Sequence, residues 1–233
     1  MTDWQEIWNK RMIHGLNQSQ DISLQDLLIA DGFDTGAGKL NSLENWEHYI
    51  KLISKEIDLA PSDSLFEIGC GSGAFLYLWY KEGHLVGGID YSENLISLAQ
   101  HVMEGMNFQV SEANKVNTDE KFDIVLSNGV FHYFKDYAYA REVIERMIMK
   151  ARKAVAILEI PDLAMREESE RARRAALPEG EYDKKYEGLK HLYYERGWFT
   201  QFSDKFGYKI EIFDQNIKGY VNSQFRFNVV IKK

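Results

Sequence analysis

The chain of 233 residues holds one cysteine, Cys70, so an internal disulfide is excluded, and so is a structural zinc site built from a cysteine cluster. No metal is implied. Prolines number three, and with no low-complexity stretch there is no sign of a stiff linker or a domain boundary. No apolar run reaches the ~18 residues of a membrane-spanning helix, and MTDWQEIWNKR at the N-terminus lacks the apolar core of a signal peptide. The expectation is a cytoplasmic protein with no membrane partner. An excess of basic residues is also missing: 28 Lys and Arg face 36 Asp and Glu, a formal charge of −8. Phosphate backbones call for a basic face, so a nucleic-acid partner is not expected.

What is present is a hydrophobic content of 45%, ordinary for a globular domain, and a length that suits one α/β domain over 1–233. Its most informative stretch is LFEIGCGSG, Leu65 to Gly73. An apolar strand ends in Gly69, Gly71 and Gly73, a helical pattern follows, and a second strand ends at Asp90. This layout is the mononucleotide-binding half of a doubly wound sheet: glycines let backbone approach a ligand, and the acid accepts hydrogen bonds from a ribose diol. An adenosine-containing cofactor follows. Gly69, Gly71 and Ala74 also fit a dinucleotide fingerprint, which leaves a nicotinamide-dependent oxidoreductase as an alternative. Glu67 weighs against it, because a carboxylate beside the turn repels a pyrophosphate and suits a cationic cofactor.

The nonapeptide resembles the first motif of the class I S-adenosylmethionine-dependent methyltransferases. GGIDYS (87–92) resembles the second, VSEAN (110–114) the third and FDIVLSNGVFHYF (122–134) the fourth-strand motif, so the resemblance covers about 60–160. It implies a Rossmann-like, doubly wound mixed sheet of about seven strands, the last antiparallel, with N-terminal helices and a helical insertion after the fifth strand. It divides the domain into an N-terminal cap (1–60), a cofactor-binding core (61–160), a substrate-side insertion (161–197) and a closing helix with a C-terminal hairpin (198–233). The implied cofactor is S-adenosyl-L-methionine, with S-adenosyl-L-homocysteine as product. The implied reaction is direct in-line O- or N-methylation of a small molecule, and a non-catalytic cofactor-binding relative is the other alternative. By the same resemblance Glu67, the three glycines, Asp90, Tyr91, Glu112, Ala113 and Asn128 are cofactor-binding positions.

Periodicity places helices at 2–13, 23–31 and from Ser42, and then strands near 64–69, 85–90, 106–111, 121–127 and 153–160. Helices fall between them near 73–83, 92–104 and 136–150, with an irregular loop at 32–39 and a polar connection at 112–119. Beyond Pro161 lies a charged segment whose Glu167–Arg171 and Glu170–Arg174 spacings suit ion pairs along a helix. WFTQFSDKFG and two β-rich runs close the chain.

Several side chains carry two readings. Trp4 and Trp8 are either a core stripe or a lid, in which Arg11 pairs with the cofactor carboxylate, as similar N-terminal helices imply. His132 is either a base for a protonated nucleophile or a packing residue. His191, the second catalytic candidate, lies in the insertion with Tyr182, Tyr186, Tyr193 and Tyr194, an aromatic set suited to enclosing a small acceptor. Hydroxyl, amine, carboxylate, thiol and arsenic nucleophiles all stay open, as does the oligomeric state.

Overall fold

The computed structural model describes residues 4–11, 21–33 and 42–233. The ends of the expected helix 2–13 and residues 34–39 of the expected loop lie outside them. Seven strands form one sheet: β1 (Leu65–Ile68), β2 (Val86–Asp90), β3 (Asn107–Val110), β4 (Phe122–Asn128), β5 (Ala151–Pro161), β6 (Lys209–Asp214) and β7 (Arg226–Lys232). Their order is β3-β2-β1-β4-β5-β7-β6. The pairs among β1 to β5 are parallel, whereas β7 lies antiparallel between β5 and β6. This is the doubly wound mixed sheet expected from the sequence, with its last strand reversed.

The central strands are apolar runs because both faces are covered, whereas the edge strands β3 and β6 are largely exposed or half-buried. Alternate residues serve opposite layers: Leu65, Ile124 and Ala154 pack with Ile96 and Ala99, while Phe66, Val125 and Val155 pack with Val143 and Ile144. The first layer contains α5 (Glu93–Val102) and the second α6 (Tyr137–Lys150). Ser92 caps α5 and Asp136 caps α6, each accepting a hydrogen bond from an N–H of the first turn. On the N-terminal side, α2 (Leu24–Ala30) opens with a capping box from Ser23 and Asp26. Its successor α3 (Leu43–Glu56) buries Trp46 and Tyr49 against Phe75.

Two local expectations change. The helix expected at 73–83 is only α4 (Tyr77–Lys81), because the glycine turn consumes 71–76 in successive turns, with Gly71 and Gly73 both at positive φ. In α7 (Arg166–Ala175) the ion pairs are Arg166 with Glu170 and Arg174 with Asp183, not the two read from spacing. Asp183, from α8 (Glu181–Lys185), competes for Arg174 from outside the helix, a partner that no i,i+4 pattern reveals.

Candidate active site

The carboxyl ends of β1, β2 and β4 open into a cavity of about 730 Å³, within the range of ligand pockets. The glycine turn is its floor. Gly69 and Cys70 donate their N–H groups to Ile89 O at 2.7 and 3.0 Å, and Gly71 N–H reaches Asp90 Oδ2 at 3.0 Å. Ser72 N–H reaches Asp31 Oδ1 at 2.8 Å, which brings the end of α2 onto the turn. Gly69 and Gly71 are required here: both have positive φ, and an added Cβ meets Val130 Cγ2 or Asp31 Oδ1 at 2.5 Å. Gly73 instead faces the core, where an added Cβ runs into Met103, so it shapes the turn without lining the cavity.

Three carboxylates converge on this turn. Glu67 is 2% exposed, and its Oε2 is buried with no hydrogen-bond partner. Burial first, then the neighbouring Asp31 and Asp90, pushes its carboxyl well above the ordinary range, against a hydrogen bond from Asn128 N–H. Asp31 is pushed up to about 7, mainly by burial, with the Asp90 charge adding to it and Ser72 opposing. Asp90 is also raised by burial, although Ser92 and Gly71 N–H groups hold its charged form. Burial likewise lifts the Cys70 thiol, so it is a small buried residue and not a thiolate.

Of the other positions singled out, Tyr91, Glu112, Ala113, Asn128 and Arg11 all reach the cavity wall. Glu112 takes Tyr139 OH at 3.4 Å and Gln5 Nε2 at 3.5 Å, which ties the third-strand loop to α1 (Trp4–Asn9). Tyr91 OH donates to Trp4 O at 3.4 Å. Arg11 packs its guanidinium over Trp8, 5.1 Å from the ring centre, and donates to Ile29 O at 3.0 Å. Asn128 Oδ1 is buried without a partner.

The opposite wall is aromatic and cationic. Trp4 packs on Tyr133 and on His191, each with ring centres 4.7 Å apart, and its Nε1 donates to Lys190 O at 3.0 Å. The N-terminal helix and the insertion therefore meet over the cavity. His132 and His191 stand 5.2 Å apart, both held well below the ordinary histidine range by burial and then by nearby guanidinium groups. Arg226 Nη1 lies 3.4 Å from His132 Nδ1, and Arg173 Nη1 contacts His191 Nδ1. A guanidinium only donates, so both Nδ1 atoms accept and each neutral ring carries its proton on Nε2.

The expected aromatic substrate wall needs correcting. Tyr186 and His191 line the cavity, but Tyr182, Tyr193 and Tyr194 do not. Tyr194 is fully buried, donates to Phe131 O at 2.9 Å and packs among Tyr137, Trp198 and Phe199. Tyr193 is also buried, and its hydroxyl accepts from Arg173. Tyr182 lines a second cavity of about 420 Å³, under the Arg174 guanidinium. The sequence reading missed Asp31, Glu159, Tyr220 and Arg226. Glu159, in β5, has a positive φ of 61°, pairs with Arg226 at 3.0 Å and takes a hydrogen bond from Tyr220 OH. The one sequence signal for this group was Arg226 itself, a charge inside the apolar run FRFNVV.

Comparison with known proteins agrees with this geometry. The family described as "Methyltransferase domain" matches residues 66–154, the stretch from β1 into β5. An uncharacterized methyltransferase of Schizosaccharomyces pombe is 30% identical over 105 residues, 43% of this chain and 40% of that protein. A malonyl-[acyl-carrier protein] O-methyltransferase of Calditerrivibrio nitroreducens is 29% identical over 94 residues, 39% of this chain and 36% of its own length. The chain thus matches only about two fifths of these curated relatives. Among solved structures, the plantazolicin methyltransferase BpumL, in complex with a monoazolic desmethylPZN analog and S-adenosylhomocysteine, superimposes with a TM-score of 0.65 at 15% identity over 90% of each chain. Magnesium protoporphyrin IX methyltransferase of Synechocystis, with bound S-adenosylhomocysteine, gives 0.58 at 16% identity over 99% of this chain and 94% of the other. Residues 66–154 are thus similar to a methyltransferase domain, and the sheet order around them is that of the solved methyltransferase structures.

Proposed function

We propose that the chain is an S-adenosylmethionine-dependent methyltransferase acting on a small-molecule acceptor. The observation that carries this reading is the trio Asp31, Glu67 and Asp90 buried around the glycine turn, with Glu67 Oε2 unpartnered. Such a site repels a pyrophosphate and accepts a ligand that brings ammonium, sulfonium and ribose hydroxyl groups. Asp90, its oxygens already accepting two backbone N–H groups, keeps lone pairs for the ribose. Glu67 and Asn128 Oδ1 offer unused acceptors to an ammonium, and Arg11 offers a cation to the carboxylate of the same amino-acid end.

When bound, the cofactor supplies an electrophilic sulfonium methyl, so the protein's task is to align an acceptor and exclude water. Trp4, Tyr133 and Tyr186 supply apolar walls for that task. His132 and His191 are poor bases, since their Nδ1 atoms are occupied by guanidinium donors and the local field suppresses protonation. Their Nε2–H groups orient an acceptor by donating to it. This replaces the general-base role expected of either histidine.

Calorimetry is expected to show binding of S-adenosylhomocysteine and none of NAD; the reverse outcome overturns the reading. Asp90→Asn, which keeps an acceptor for the turn while removing the charge, is expected to weaken S-adenosylhomocysteine about ten-fold or more. A charge-assisted hydrogen bond is worth about 1.5–3 kcal/mol. Unchanged affinity in the folded variant removes Asp90 from the ribose site. Turnover is tested by incubating small-molecule extracts with methyl-labelled cofactor and finding the labelled product by mass.

A further inference from the structure

The geometry points to a flat aromatic carboxylic acid as the acceptor, its ring against Trp4 and Tyr186 and its carboxylate held by Arg173. This rests on the proposed function and adds to it the class of the acceptor. The first observation is a segregation of charge. Segment 161–197 contains nine acidic and eight basic residues, yet none of its acids reaches the cavity, whereas Arg173, Lys185 and Lys190 do. In a chain of net charge −8, this wall selects an anion.

The second observation is Arg173 itself. Its Nη1 and Nη2 are spent on neutral acceptors, His191 Nδ1 and Tyr193 OH, and its Nε is shielded from solvent with no partner. No carboxylate lies within 4 Å of it among the described residues, because Glu170 and Asp183 are taken by Arg166 and Arg174. Arg173 is half-buried and its guanidinium lies over the rings of Tyr182 and Tyr186 with no carboxylate beside it, so a ligand carboxylate supplies a charged partner that the chain does not. Arg226, on the far side of the histidine pair, is 12% exposed and has its charge matched by Glu159, so the uncompensated cation of this wall is Arg173.

The third observation is shape. Ring centres of Trp4 and Tyr186 are 6.3 Å apart at an interplanar angle of 55°, Trp4 packs on Tyr133 and His191, and the Arg173 guanidinium lies over Tyr186 at 5.7 Å, so the aromatic wall adjoins that cation. Neutral Nε2–H donors from the histidines complete a site that offers donors to an anion. A carboxylate oxygen has no proton to lose: a C–O bond to the methyl would form as the sulfonium C–S bond breaks, its electron pair leaving on sulfur, so the transfer would call for no base.

The full chain is titrated calorimetrically with 2-naphthoate, 2-naphthamide and 2-naphthyl phosphate, each with and without saturating S-adenosylhomocysteine. The acid is expected to bind at least ten-fold more tightly than the amide, which has the same shape without the charge. Arg173→Met is expected to bring that ratio close to one, and Arg173→Lys to restore part of it; S-adenosylhomocysteine binding by each variant reports its folding. Equal affinity for acid and amide, no binding of the acid, or an unchanged ratio in Arg173→Met overturns the assignment. Tighter binding of the phosphate than of the acid overturns the choice of a carboxylate. Loss of S-adenosylhomocysteine binding by the wild-type chain instead overturns the proposed function, and the acid-to-amide ratio without it still reads the acceptor site.

Discussion

Arg226→Met is expected to destabilise the protein by about 3–5 kcal/mol, the usual consequence of stripping one partner from a buried ion pair. Arg226 holds Glu159 twice, through the carboxylate at 3.0 Å and through the backbone carbonyl at 3.0 Å. Glu159 is only 4% exposed at its side chain, so water cannot replace the lost guanidinium. Its backbone sits at φ 61°, where β5 and β7 shift register between Ile157 and Ile160. A residue other than glycine in that conformation persists only when its surroundings enforce it. Asn228 Oδ1 on Glu159 N–H at 2.9 Å and Tyr220 OH on the carboxylate are the remaining restraints. For a chain of this length the melting temperature should fall by roughly 6–20 °C. The double variant Glu159→Gln with Arg226→Met should recover much of that loss, because the penalty is an unpaired charge more than missing volume. A fall under 2 °C in the single variant, or no recovery in the double, shows that the pair does not organise this strand end.

That constellation also marks where the sequence stopped being informative. The glycine turn was legible because its requirements are local: a strand, small residues with positive φ and an acid at the end of the next strand all lie within twenty-six residues, from Leu65 to Asp90. The sheet was legible because most strands are apolar runs between turn signals, and even the reversed β7 followed from two β-rich runs at the end. Glu159 and Arg226 are sixty-seven positions apart and meet only because β5 pairs with β7, placing Pro161 opposite Arg226. No periodicity encodes that. Asp31 was hidden differently: it reads as the polar end of a short helix, and its meaning comes from Ser72 N–H forty-one residues later. The tyrosines of the insertion misled for the opposite reason. Aromatic density is shared by cavity walls and cores, and Tyr194 belongs to the core because its strand-like backbone bridges to Asp162 beneath the site.

Replacing Asp31 by asparagine is expected to stabilise the ligand-free protein above neutrality and to flatten its pH dependence. Asp31 has an ordinary value of 3.8 unfolded and about 7 in the folded chain. Because the folded value is raised, the folded state binds the extra proton between these two pH values. Stability from this group is complete below about pH 4, declines as pH rises through 7 and is constant above. The interval from 3.8 to 7 is 3.2 units, which at 1.36 kcal/mol each sets an upper limit of about 4 kcal/mol. Access through the cavity reduces it, and about 2 kcal/mol is a realistic gain for Asp31→Asn at pH 8, or roughly 4–8 °C in melting temperature. The amide oxygen can still accept from Ser72 N–H, so the turn is retained. Glu67 and Asp90 are raised in the same sense, so the variant should keep a weaker fall in stability with rising pH. The same ionised carboxylates that destabilise the empty site attract an ammonium. S-adenosylhomocysteine should therefore bind wild type more tightly at pH 8 than at pH 5, with a smaller difference in Asp31→Asn. Thermal melts and calorimetry at pH 5, 6.5 and 8 check both halves: a wild type that grows steadily more stable from pH 5 to 8, or a variant no more stable at pH 8, shows that Asp31 is charged at no cost to the fold.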